Sequence, residues 1–236
     1  MILISDSGQG KAVAERIKDI VIDYDTYVEP FAGSFECGFE LLREGRLART
    51  ILNDPNPEIA NFWNCVKDNC QELVDLIDLF IKSSDISKIH VESMISAKKA
   101  PVLRAATFWL KQVLNCPDAN INNFSQEFFE RSRLLKNVTI TNCNCYRMLP
   151  FSDAFWMISS ANADEVKKII SSPNPPASWC AININPSEIK NIDSRYSRSN
   201  LNSNNRKYTV VFSSDRERTR FERTIMCAVN SYSIVI

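Results

Sequence analysis

Tyr27-Val28-Glu29-Pro30-Phe31-Ala32-Gly33-Ser34, followed by Ile51-Leu52-Asn53-Asp54, is the stretch of this 236-residue chain whose residue types and spacing specify a ligand. An apolar strand running into a glycine turn, then a helix, then a second apolar strand ending in an acid makes a βαβ unit. Such a unit presents backbone to a cofactor and a carboxylate to ribose hydroxyls. The five glycines, Gly8, Gly10, Gly33, Gly38 and Gly45, all fall in or just before this unit. Asp54 has a second reading as the N-cap of a helix starting at Pro55.

The elements that must hold these residues follow from hydrophobic period. Ile59, Phe62, Trp63, Val66, Cys70, Leu73, Ile77 and Phe80 recur at spacings of three and four and predict a helix with one apolar stripe. Lys67, Asp68, Glu72, Asp75 and Asp78 form its solvated face. Further helices are expected over 101–114, 126–135 and 163–171. Short apolar runs at Val138-Thr139-Ile140, 154–158, 179–184, 208–212 and 233–236 read as strands. Strands alternating with helices imply a mostly parallel sheet covered on both faces. Trp63 and Trp109 sit on apolar stripes and are read as core.

Residues 115–123 and 194–205 read as loops. Lys190, Arg195, Arg198, Arg206 and Lys207 stand against the single acid Asp193, and a basic loop of this kind suits phosphate-backbone contact. A plain polar loop is the other reading. Net charge is zero, from 28 basic and 28 acidic residues, so any nucleic-acid surface must come from local segregation of charge. The length suits one α/β domain with an insertion. Eight cysteines include no Cys-x-x-Cys pair; Cys143-Asn144-Cys145 and the lone His90 make no zinc set, so no metal site is expected. Reduced thiols and the lack of a long apolar span place the expected location in the cytoplasm, away from membrane. His90 has no acid and nucleophile around it to suggest a hydrolytic triad.

Tyr27 to Ser34, with Ile51 to Asp54, Pro57 to Trp63 and Val66 to Asn69, resembles the DNA adenine methyltransferases of the Dam-like, phage and restriction-modification type. Ser7-Gly8-Gln9-Gly10-Lys11 stands where that family carries Gly-Gly-Lys before a helix. The likeness is strong over residues 7–69 and diffuse beyond. It implies a Rossmann-like α/β fold that uses S-adenosylmethionine to methylate the exocyclic amino group of adenine in double-stranded DNA. It implies one domain over 1–236, with a helical insertion at 75–135 as the target-recognition lobe. Cofactor contacts would come from Lys11, Phe31, Ala32, Gly33, Ser34 and Asp54, and from Asn144 at the position of an acid that holds the cofactor's adenine. DNA contacts would come from Arg195, Arg198, Arg206 and Lys207.

The chain also departs from that pattern. Phe35 stands where many members carry a small residue. The strand 154–158 should lead into Asp-Pro-Pro-Tyr, whose acid receives the amino group and whose ring stacks on a flipped base. It leads instead into Ser159-Ser160-Ala161-Asn162. The nearest substitute is Asn174-Pro175-Pro176, where an amide oxygen could accept the same hydrogen bond, although two prolines also make an ordinary turn. Two functions remain open: a divergent methyltransferase, or a methyltransferase fold without activity that binds DNA, a nucleotide or a protein partner.

Overall fold

The computed structural model describes residues 9–82, 100–116, 121–147, 153–159, 163–173, 175–182, 196–203 and 206–231. Seven strands form one sheet: β1 Thr26–Glu29, β2 Arg49–Asn53, β3 Val138–Thr141, β4 Phe155–Ser159, β5 Ser178–Ile182, β6 Ser197–Ser203 and β7 Arg206–Phe212. Their order is β3-β2-β1-β4-β5-β7-β6. Neighbouring strands run parallel, except that β7 is antiparallel to both β5 and β6. The order reverses between β1 and β4, which makes that junction the switch point of a doubly wound, Rossmann-like sheet.

Alternation along each strand sends successive side chains to opposite faces, and both faces are buried. Tyr27, Leu52, Phe155, Met157, Cys180 and Phe212 join one core. Val28, Ile51, Trp156, Ile158, Trp179 and Val211 join the other. The first face is covered by α1 Gln9–Val21, α2 Glu36–Arg43, α3 Pro57–Asp68, α4 Cys70–Lys82, α5 Pro101–Leu114, α6 Phe124–Leu135 and Phe221 of α8 Asp215–Ser231. The second is covered by α7 Ala163–Ile170 through Val166, Ile169 and Ile170. The continuous apolar strands follow from this double burial.

Between β2 and β3 the chain builds four described helices where one crossover helix would suffice. α5 and α6 pack against both α3 and α4. Trp109 of α5 and Phe62 of α3 both meet the ring of Phe128 of α6, with centroids 5.6 and 5.5 Å apart.

Three expectations are corrected. The stripe from Ile59 to Phe80 predicts one helix, but the chain forms α3 and α4. Asn69, at φ −131° and ψ 33°, leaves the helical region between them. Its N–H still donates to the Cys65 carbonyl at 2.8 Å and its carbonyl still accepts from Leu73 N–H at 3.0 Å, so the apolar stripe keeps one side through the break. The helix begins at the Asn56 cap, whose side chain accepts from Glu58 N–H at 3.0 Å, and not at Asp54. Residues 197–203, read as a polar loop, form β6, paired with β7 from Ser197↔Phe212 to Ser203↔Arg206. Backbone hydrogen bonds to an apolar neighbour hold this edge strand, and composition does not register them. The strand expected at 233–236 lies outside the described residues. Among the described residues no helix is long and apolar enough to cross a membrane.

Candidate functional site

β1 ends in the loop Pro30-Phe31-Ala32-Gly33-Ser34-Phe35, which turns back over the end of β2. Ala32 N–H donates to the Asn53 carbonyl at 2.9 Å, and Phe35 N–H donates to the Ala32 carbonyl at 2.7 Å. Gly33 adopts φ 50°, a left-handed conformation that glycine takes without a Cβ penalty. Both of its backbone groups are engaged: the N–H donates to Asp54 Oδ2 at 3.0 Å, and the carbonyl accepts the Trp63 indole N–H at 2.8 Å. Asp54 Oδ1 accepts Asn56 N–H at 2.8 Å. The two motifs that define the sequence reading are therefore joined directly, acid to glycine. Burial raises the Asp54 carboxyl above its ordinary value, and these two N–H donors act against that rise.

Phe35 shares the left-handed conformation at φ 55°. Its ring turns into the core, edge-on to Phe39 at 4.9 Å and flush against Gly38, where a Cβ would lie 2.2 Å from the ring. Its bulk thus occupies the interior beneath α2. Beside it Glu29 is buried at the end of β1 and accepts the Tyr27 hydroxyl at 2.6 Å. Burial pushes its carboxyl up to about 8.

Asn53, fully buried, fastens three strand ends together. Its Nδ2 donates to the carbonyls of Pro30 at 3.0 Å and Cys143 at 3.1 Å. Its Oδ1 accepts from the Thr141 hydroxyl at 2.8 Å, Cys143 N–H at 3.0 Å and the Cys143 thiol at 3.3 Å. Asn142 Nδ2 adds a bond of 2.7 Å to the Asp54 carbonyl. Every partner of this cluster lies at or just beyond the carboxyl end of β1, β2 or β3.

A cleft of about 490 Å³ opens over these strand ends. Phe31 and Pro55 form one wall, residues 142–146 the second, and Glu165 and Lys168 of α7 the third. Its position beyond the carboxyl ends of β1 to β3, next to the switch point, is where open α/β sheets bind ligands, and its volume lies within the range of small-molecule and cofactor sites. Phe31 gives an apolar surface; Asn142 and Asn144 give amides.

Residues 8–90 match the family model of the D12 class N6 adenine-specific DNA methyltransferases. This is the family that the motifs from Tyr27 onward resemble, and the Rossmann-like sheet agrees with a methyltransferase fold. No curated protein matches the chain. The D12 match contains Phe31, Gly33, Asp54 and Pro55, hence one wall of the cleft. The walls formed by 142–146 and by α7 lie outside it.

Of the residues singled out in the sequence, Phe31 and Asn144 line the cleft, while Ala32, Gly33, Ser34 and Asp54 form the adjoining loop. Lys11 lines a separate hollow of about 220 Å³, with Glu36, Phe39, Glu40, Arg43, Glu127 and Arg131. Gly10 explains the close approach there: a Cβ on it would lie 2.2 Å from the Glu36 Cβ. Pro175 and Pro176 lead into β5 and so stand at the amino edge of the sheet. The cleft is at the carboxyl edge, roughly 15 Å away along the strands. Asn174 and Arg195 lie outside the described residues. Trp179 is buried on β5 against Tyr196, with ring centroids 5.1 Å apart, and belongs to the core. Arg198 is exposed on β6. Arg206 and Lys207 belong to β7, with their side chains outside the described set.

Sequence reasoning did not assign roles to Asn53, Asn142, Tyr146, Glu165 or Lys168. The available signal for Asn53 was a polar residue closing an apolar strand, and for Asn142 its place just after β3.

Proposed function

We propose that the chain binds S-adenosylmethionine in the cleft at the carboxyl edge and methylates the exocyclic amino group of adenine in DNA. The observation that carries this reading is the direct bond from Gly33 N–H to Asp54, within the D12-matched residues, beside a cofactor-sized cleft whose first wall, Phe31 and Pro55, lies in the same match. Phe31, Asn142, Asn144 and Tyr146 would hold the nucleoside part of the cofactor, and the Gly33 loop would border its amino-acid part. Bound there, the cofactor supplies an electrophilic methyl group on sulfur. The chain's own task is positioning: the Asn53 bonds fix the two strand ends that flank the cofactor. Arg198 on β6 offers contact to DNA phosphates, with Arg195, Arg206 and Lys207 nearby in sequence. The helices between β2 and β3 would serve as the target-recognition lobe.

A second reading, a fold that binds cofactor or DNA without transferring methyl groups, is favoured by two observations. The chain after β4 carries no acid, proline or aromatic residue through Asn162, and Pro175-Pro176 stands at the opposite edge of the sheet from the cleft. Nucleoside mass spectrometry of unmethylated DNA incubated with protein and S-adenosylmethionine separates the two. N6-methyladenine is expected, and it should persist in Asn174→Ala. Its absence with folded protein that still binds S-adenosylhomocysteine would establish the second reading and direct attention to a partner chain.

A further inference from the structure

Arg131 of α6 is a cation set against an aromatic wall. Its side chain is 13% exposed, its Nη2 pairs with Glu127, and its Nε is buried with no hydrogen-bond partner among the described residues. Packing alone does not account for this residue. A buried N–H left unpaired is unfavourable, and an apolar side chain of similar length would fill the space without that cost. The guanidinium meets rings instead: its carbon lies 5.0 Å from the centre of the Phe39 ring and 5.6 Å from that of Trp63. A desolvated cation is attracted to the face of an aromatic ring, most strongly to tryptophan.

The same two rings hold the loop after β1. Trp63 donates its indole N–H to the Gly33 carbonyl at 2.8 Å, Phe39 meets Phe35 edge-on at 4.9 Å, and Phe39 and Trp63 meet each other at 5.3 Å. Gly33 and Phe35 are the loop residues with positive φ, at 50° and 55°. Such a backbone persists only where its surroundings over-determine it, and Arg131 stands behind both supports. A cation over the indole face draws electron density from the ring, makes its N–H a stronger donor and so tightens the bond to Gly33. Phe128 of the same helix braces this wall through Phe62, whose ring lies 4.9 Å from that of Trp63, but it brings no charge.

We infer that Arg131 is a positioning residue: from the helices between β2 and β3 it fixes, through Trp63 and Phe39, the conformation of the loop that borders the cofactor's amino-acid part. This rests on the cofactor reading above and deepens it, because the affinity of the cleft then answers to the placement of α6.

Isothermal titration calorimetry with S-adenosylhomocysteine tests the inference, beside proton–nitrogen correlation spectra of the indole groups. Of the four tryptophans, Trp63 is identified by the signal that Trp63→Phe removes. Arg131→Met keeps a long side chain in place and removes the charge. It should bind about tenfold more weakly, the size of one desolvated cation–ring contact, and its Trp63 indole proton should move upfield. Arg131→Lys restores a cation and should recover part of both effects. Phe128→Leu loosens the same helix without touching the charge, so it should lower the melting temperature and leave the affinity near that of the parent. Parental affinity or an unmoved indole signal in Arg131→Met would overturn the inference. So would a Phe128→Leu protein that loses as much affinity as Arg131→Met, or an Arg131→Lys protein that binds no better than it. Should Arg131→Met not fold, Arg131→Lys decides alone: a loss beyond about tenfold overturns the inference, and a smaller one with a retained indole shift upholds it. No binding by the unmodified protein would overturn the cofactor reading and this inference with it, whereas the other failures leave the cofactor reading standing.

Discussion

At the scale of single residues, the loop after β1 is stabilised against its own strain. Phe35 holds a left-handed backbone, which costs roughly 1–2 kcal/mol for a residue with a Cβ, and burial of its ring against Gly38 and Phe39 offsets it. Glu29 adds a pH dependence. Its carboxyl, raised by burial to about 8, keeps in the native state a proton that the unfolded chain releases near the ordinary carboxylate value. The stability it contributes is fully present below that value and is lost as pH rises toward 8. Glu29→Gln retains an acceptor for the Tyr27 hydroxyl and removes the titration. The variant is therefore expected to match or trail the parent near pH 5 and to exceed it at pH 9, with the gap opening mostly between those values. Urea midpoints measured across that range check the sign; a constant difference between the two proteins would refute it. Glycine, acid and aromatic positions could be read from the sequence because their chemistry is local. Asn53 could not, since its partners at Pro30, Thr141 and Cys143 meet only after the strands align.

At the scale of elements, the start of α1 rests on the start of α2 without room for a side chain at Gly10. A Cβ there would meet the Glu36 Cβ at 2.2 Å and the Cys37 nitrogen at 2.9 Å, and the second contact is backbone that cannot swing aside. Gly10→Ala should cost about 1–3 kcal/mol by forcing the helices apart, readable as a lower urea midpoint at unchanged slope. An unchanged midpoint would mean that α1 has another seat. Most helices and strands were legible, because 3.6- and 2-residue periods survive in buried elements: the helix expected over 101–114 is α5 Pro101–Leu114. The break at Asn69 was not legible, because it leaves the apolar stripe in phase. Nor was β6, whose Ser and Asn residues carry no apolar alternation and whose order derives from pairing with β7.

At the scale of the whole molecule, one sheet is shared by two cores. Trp63 and Trp109 lie in the first, and Trp156 and Trp179 in the second, all buried. Because successive residues of the same strands feed both, neither face can loosen while the other stays intact. Tryptophan fluorescence and far-UV circular dichroism should therefore trace coincident urea transitions, and Trp109→Phe and Trp179→Phe should each lower the common midpoint without splitting it. Two separated transitions would refute a single cooperative unit. The cleft was half legible for a related reason: its first wall carries the D12 signature, and its second is assembled from residues beyond 140.

The Asn53 bonds also set a timetable for the cleft. They tie Asn53 to Pro30, 23 positions earlier, and to Cys143, 90 positions later. A nascent chain that has already emerged past Asp54 must wait on the order of ten seconds of translation before Cys143 follows. Throughout that interval the glycine loop and its acid can form, but the third strand end is missing. On the ribosome the ligand site is thus completed well after its most recognisable half has been made.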